Sequence, residues 1–81
     1  MTSVDAHDPA DVSPRAWRLL RVAAGYGQRD VERELADIRQ AHVSMLEGGS
    51  RGLSRGRRRE LFALYAAELS DDQVRVIVEH F

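Results

Sequence analysis

No cysteine occurs in this 81-residue sequence, which excludes disulfides, thiolate metal sites and thiol nucleophiles and leaves the redox compartment open. Lysine is absent as well. All 12 basic residues are arginine, whose rigid fork suits bidentate contacts to phosphate and guanine, although a GC-rich genome would produce the same bias. No apolar run approaches membrane-spanning length, and the N-terminus is acidic rather than a charged-then-apolar leader. The expectation is a soluble, cytoplasmic protein with no membrane partner. The chain has room for one small domain with a modest core, to which oligomerisation or a bound partner would add stability. With no thiol, no clustered histidines and carboxylates, and no glycine motif that cradles phosphate, an enzyme is the poorest reading. No cofactor and no metal is expected: His42 has no second ligand three or four residues away, and His7 and His80 lie far along the chain.

The net charge of -1 by itself argues against a polyanionic partner, but its distribution reverses that. Residues 15–59 hold eleven arginines against Asp30, Glu32, Glu34, Asp37 and Glu47, whereas residues 1–14 carry only acids and residues 60–81 carry five acids against Arg75. The charge is segregated into a basic middle and acidic ends. Residues 1–12 are small and acidic, include Pro9, and are almost without apolar side chains. They read as a mobile N-terminal arm ahead of a folded unit over residues 13–81.

Ser13 and Pro14 form a helix start, a capping hydroxyl and a proline at the first helical position. The first helix is expected to reach Ala24 and to stop at Gly25 in left-handed geometry. Trp17, Leu20 and Ala24 share its apolar face with Leu19 and Ala23 beside them, so Trp17 reads as core; Arg15 and Arg18 face solvent. Gly48 and Gly49 close a later helix, followed by SRGLSRGRRR. This run is a mobile basic segment suited to gripping a phosphate backbone, or else a linker. Within it Leu53 and Ser54 look like an anchor and a cap for a helix from Arg55 through Leu61, Phe62, Leu64, Tyr65 and Leu69. Ser70 with Gln73 is a capping box opening a last helix from Asp71 to His80. Its stripe of Val74, Ile77, Val78 and Phe81 either finishes the core or forms a dimer seam.

The centre of the chain is the stretch QRDVERELADIRQAHVSMLEGG, residues 28–49. Val31 and Leu35 form one apolar stripe, Ile38 stands alone, and Val43 and Leu46 form another, the pattern of two short helices around a tight corner. The expected bounds are 28–36 and 39–47, with Asp37 as N-cap of the second. Neither helix is long enough to persist alone in water. On the first, Arg29 with Glu32 and Asp30 with Arg33 read as a solvated outer face of opposed charges. Gln28 stands at its start, where amides and the helix dipole favour phosphate.

Gln28, Val31, Glu32, Leu35, Ile38, Val43, Ser44, Leu46, Glu47 and Gly49, with LLRVAAGYGQ upstream, resemble the helix-turn-helix of the phage repressor/Cro-like proteins, the XRE family. The likeness covers residues 15–69, more loosely at the end. It departs from the family pattern at Ala36 and Asp37, two residues where the family has one, commonly glycine. The resemblance implies an all-α, five-helix repressor/Cro-like helix-turn-helix domain whose second motif helix enters the major groove N-terminus first. Arg39, Gln40, Ala41, Ser44 and Met45 would then read bases, Gln40 taking adenine, Arg39 guanine and Ala41 a thymine methyl. Gln28, His42, Arg51, Arg55 and Arg58 would grip phosphates. Arg21 would pair with Glu47 to seat the first helix on the second motif helix. The implied function is a sequence-specific transcriptional regulator, such as a repressor, acting by operator occupancy as a homodimer on double-stranded DNA in the nucleoid. The alternative is a protein-interaction module of the same fold, such as an antitoxin or a small regulator docking on a protein partner. The acidic ends and the terminal stripe favour it.

Overall fold

The computed structural model describes residues 11–50 and 53–81. These form five helices: α1 (Pro14–Ala23), α2 (Gln28–Glu34), α3 (Gln40–Glu47), α4 (Arg55–Ala66) and α5 (Asp71–His80). No strand occurs among the described residues, and none of their helices is long and apolar enough to cross a membrane. Residues 1–10 of the expected arm, and Arg51, lie outside the described residues. The arm expected over residues 1–12 is too long at its inner end, because Val12 is buried in the core.

Local chemistry accounts for most of the helix ends. The Ser13 hydroxyl accepts the Ala16 amide at 3.0 Å, Ser54 caps α4 through the Arg57 amide, and Ser70 and Gln73 cap α5 reciprocally. α1 ends on Gly25 at φ 87°, with the Tyr26 amide returning to the Arg21 carbonyl and the Gly25 amide to that of Val22. That is a Schellman turn, in which the glycine adopts left-handed backbone at no steric cost. Gly49 repeats it behind α3 at φ 98°.

The corner between α2 and α3 is built differently. α2 ends at Glu34, earlier than periodicity implies, and Leu35 is already extended at φ -127°. No non-glycine residue among those described has positive φ, so the corner through Ala36 and Asp37 is turned without left-handed backbone. Ile38 then drops fully into the core. Asp37 does not cap α3. The N-cap position falls on Arg39, whose side chain makes no capping bond. The α3 terminus is held instead by Glu32, whose carboxylate accepts the Gln40 amide at 2.6 Å, and by His42, whose Nδ1 accepts the Arg39 amide at 3.1 Å.

The core gathers Trp17 and Leu20 of α1, Val31 of α2, Ile38 from the corner, Val43 and Leu46 of α3, Leu53 from the segment before α4, Leu61, Phe62 and Tyr65 of α4, and Val74 of α5. The inner face of α1 is narrower than expected, since Ala23 is exposed. The terminal stripe divides. Val74 is fully buried, Ile77 and Val78 lie against the core, and Phe81 is 45% exposed. The Phe81 ring carries the Arg15 guanidinium 5.4 Å from its centroid, a cation–π contact made at the surface, where Arg15 is exposed as expected. The Phe81 carbonyl accepts the Ser13 hydroxyl at 2.7 Å.

Tyr65 is fully buried and its hydroxyl lacks a hydrogen-bond partner. Burial, reinforced by the nearby Glu47 carboxylate, pushes its ionisation well above the ordinary tyrosine range. In the unfolded chain this group ionises near pH 10, while the folded form keeps its proton. The native state therefore binds more protons at high pH, and stability falls as pH rises beyond about 10. Tyr65→Phe is expected to be neutral or mildly stabilising at pH 7, because it removes an unsatisfied buried hydroxyl. It should also reduce the alkaline loss, leaving the part due to Tyr26, whose ionisation burial raises as well. Denaturant unfolding at pH 7 and pH 11 checks both.

Candidate nucleic-acid interface

Between α1 and α3 lies a partly buried ion pair. The Arg21 guanidinium grips Glu47 with two bonds, Nε to Oε2 at 2.7 Å and Nη2 to Oε1 at 3.1 Å, the side chains being 12% and 7% exposed. The third arm of the fork, Nη1, donates to the Tyr26 carbonyl at 2.9 Å. The hydrogen bond to Glu47 raises Arg21 above its already high ordinary value despite burial, so the charge is permanent.

The ion pair imposes a direction on the side-chain amides beside it. A carboxylate only accepts, so the Gln28 side chain must present its nitrogen to Glu47, and Nε2 donates to Oε1 at 3.2 Å. Gln28 Oε1 is thereby aimed the other way and accepts Gln40 Nε2 at 2.7 Å. The first residue of α3 is thus held at its backbone by Glu32 and at its side chain by Gln28. The Gln40 oxygen and one amide hydrogen carry no partner within this chain of bonds.

Around that anchor Arg39, Ala41, Ser44 and Met45 are exposed, Met45 at 45%, while Val43 and Leu46 are buried on the opposite side. Of the five residues expected to read bases, Ala41, Ser44 and Met45 are thus exposed along α3, Gln40 is half-buried at its start, and Arg39 is exposed at the N-cap position. The expected phosphate contacts are less uniform. Arg55 is exposed at the start of α4. Arg58 is half-buried: its Nη1 donates to the Leu53 carbonyl at 3.2 Å, and its Nε is buried without a partner. It ties down the loop before α4 instead of extending into solvent. His42 is half-buried with one ring nitrogen committed to the α3 cap. Gln28 is taken up by Glu47 and Gln40, so its amide is a link between helices and not an open phosphate clamp.

The role of Glu32 is not visible in the sequence. It forms no ion pair with Arg29; its bond is to the start of α3, whereas Arg33 does pair with Asp30 at 3.3 Å. A contact across eight positions and a corner leaves no periodic trace, which is why charge spacing does not find it. Among the described residues no group of histidine and carboxylate side chains could hold a metal ion.

These features define a small all-helical domain whose third helix buries Val43 and Leu46 and exposes Ala41, Ser44 and Met45. Residues 6–58 match the model of a domain of unknown function, DUF8599, and the chain belongs to that family. The match runs from ahead of α1 into the first turn of α4, so it contains Arg21, Gln28, Glu32, Gln40 and Glu47. No curated protein and no solved structure matches the chain.

Proposed function

We propose that this protein is a sequence-specific DNA-binding regulator of the repressor/Cro-like helix-turn-helix type, acting by operator occupancy with α3 in the major groove. The observation that carries the reading is the relay Arg21–Glu47–Gln28–Gln40. A surface glutamine ordinarily rotates freely and selects nothing. Here a partly buried charge dictates the orientation of one amide, which dictates the next, and Gln40 meets a ligand with its acceptor and one donor already arranged. That pairing matches the 6-amino group and N7 of adenine. Arg39 beside it suits guanine, and the exposed Ala41 and Met45 suit a thymine methyl. Arg55, in a stretch of the chain rich in arginine, supplies phosphate grip.

The test is selection of bound fragments from a random DNA pool, with sizing of the complex. A defined site should emerge, with affinity falling steeply with salt at a log–log slope of about 0.9 per phosphate neutralised. Gln40→Ala should relax preference at a single base pair by about 1–3 kcal/mol. Arg55→Ala should weaken all sequences alike and flatten the salt slope. A pool that yields no sequence overturns the reading. We further propose a homodimer on two half-sites, which predicts a selected site with two-fold symmetry.

A second reading, a protein-interaction module, has one observation in its favour. The outer side of α5 leaves Val76 47% exposed beside Ile77, in an open apolar cleft lined also by Asp72 and Gln73. Failure to shift any DNA at low salt, together with co-purification of another chain, would select that reading.

A further inference from the structure

Glu32 places an ionised acceptor at the start of the helix assigned to the groove. Its Oε2 lies 2.6 Å from the backbone nitrogen of Gln40, and its side chain is half-buried in the angle between α2 and α3. That position has two consequences. The end of a helix that would otherwise attract a phosphate oxygen is already filled by a carboxylate of the same chain, so a backbone phosphate is repelled there. And a group that can only accept hydrogen bonds sits on the backbone of Gln40 itself, the residue whose side chain is held by Gln28 at 2.7 Å. No arginine closes an ion pair with Glu32 among the described residues; Arg33 is engaged with Asp30.

We propose that Glu32 is a base-selecting residue, whose second carboxylate oxygen accepts the exocyclic amino group of a base in the major groove next to the one met by Gln40. The proposal rests on the DNA-reading role of α3. Major-groove edges differ in what they offer such a group. Cytosine presents its 4-amino donor, adenine presents a 6-amino donor beside the N7 acceptor, and guanine and thymine present acceptors toward it. An acceptor-only side chain therefore takes cytosine first and adenine second, and opposes the other two. The same charge lowers affinity for DNA of arbitrary sequence, so Glu32 converts part of the general attraction of the arginines into discrimination.

Fragment selection with the wild-type chain, Glu32→Gln and Glu32→Asp tests this, together with titration of the selected site with each of the four bases at every position. Glu32→Gln keeps the side-chain length and an oxygen for the Gln40 amide, and it removes the charge. The wild type should prefer cytosine, or failing that adenine, at one base pair on the order of tenfold. Glu32→Gln should lose that preference at that base pair alone and bind random-sequence DNA more tightly. Glu32→Asp, one methylene shorter with its charge intact, should lose discrimination without gaining general affinity. An unchanged selected sequence in Glu32→Gln, or equal relaxation at every position, overturns the proposal and leaves Glu32 a helix cap only. Should Glu32→Gln fail to fold in a thermal melt, Glu32→Asp decides, and unaltered base ratios in it overturn the proposal. A wild-type chain that selects no sequence defeats the DNA-reading role and this inference together; a wild-type chain that selects a site shared by both variants defeats this inference alone.

Discussion

Glu47→Ala is expected to lower the unfolding free energy by about 2–3 kcal/mol, below the about 3–5 kcal/mol of a fully buried pair, because it strands the Arg21 guanidinium in a partly buried site without its charged partner. Small domains commonly have about 5–15 kcal/mol in total, so the loss removes a large share of the stability. Gln28 loses its acceptor in the same stroke, and with it the reason for Gln40 to keep one orientation. A double variant separates the two effects. Replacing both Arg21 and Glu47 with apolar residues of similar volume should recover most of the stability, since burying the pair is itself costly. It should not recover base preference, because no carboxylate remains to orient Gln28. Denaturant titration of both variants, alongside binding to the selected site, checks the pair of outcomes. Equal recovery of stability and preference would show that the relay has no role in reading.

Trp17→Ala is the second large effect, about 3–5 kcal/mol. The indole is 2% exposed and meets Phe62 edge-on at 6.1 Å and Tyr65 at 6.3 Å between ring centroids. It therefore fills the junction of α1 and α4, and its truncation leaves a void that rigid helices on either side cannot collapse. For a chain of this size the loss corresponds to a fall in Tm of the order of 20 °C. The measurement must use circular dichroism, because Trp17 is the single tryptophan and the variant has no indole fluorescence. Trp17→Phe, which keeps an aromatic face, should retain more of the stability.

How far these features are legible in the chain depends on the range over which their causes act. The starts of α1, α4 and α5 are legible because Ser13, Ser54 and Ser70 bond within three residues of themselves. The stops at Gly25 and Gly49 are legible because left-handed backbone strongly favours glycine. The apolar positions Val31, Ile38, Val43 and Leu46 are legible from their spacing and all four are buried. The bounds of α2 and α3 are less so. Leu35 fits the stripe of α2 yet leaves helical geometry, since burying Ile38 demands an extended residue first. Glu32 and Arg58 escape a reading by spacing for one reason: each has a partner set by the tertiary path of the chain, Gln40 across a corner and the Leu53 carbonyl before α4. A charged residue in isolation looks like solvent-facing surface. The link from Arg21 to Glu47 spans 26 positions and is expected only from the resemblance to the repressor/Cro-like proteins, with nothing in local spacing to indicate it.

The bond between the Ser13 hydroxyl and the Phe81 carbonyl brings the two ends of the helical unit side by side. A folded domain joined directly to Phe81 would therefore start beside Ser13 and compete with it for space. Conversely, a few flexible residues would suffice to join those ends into a circularly permuted chain.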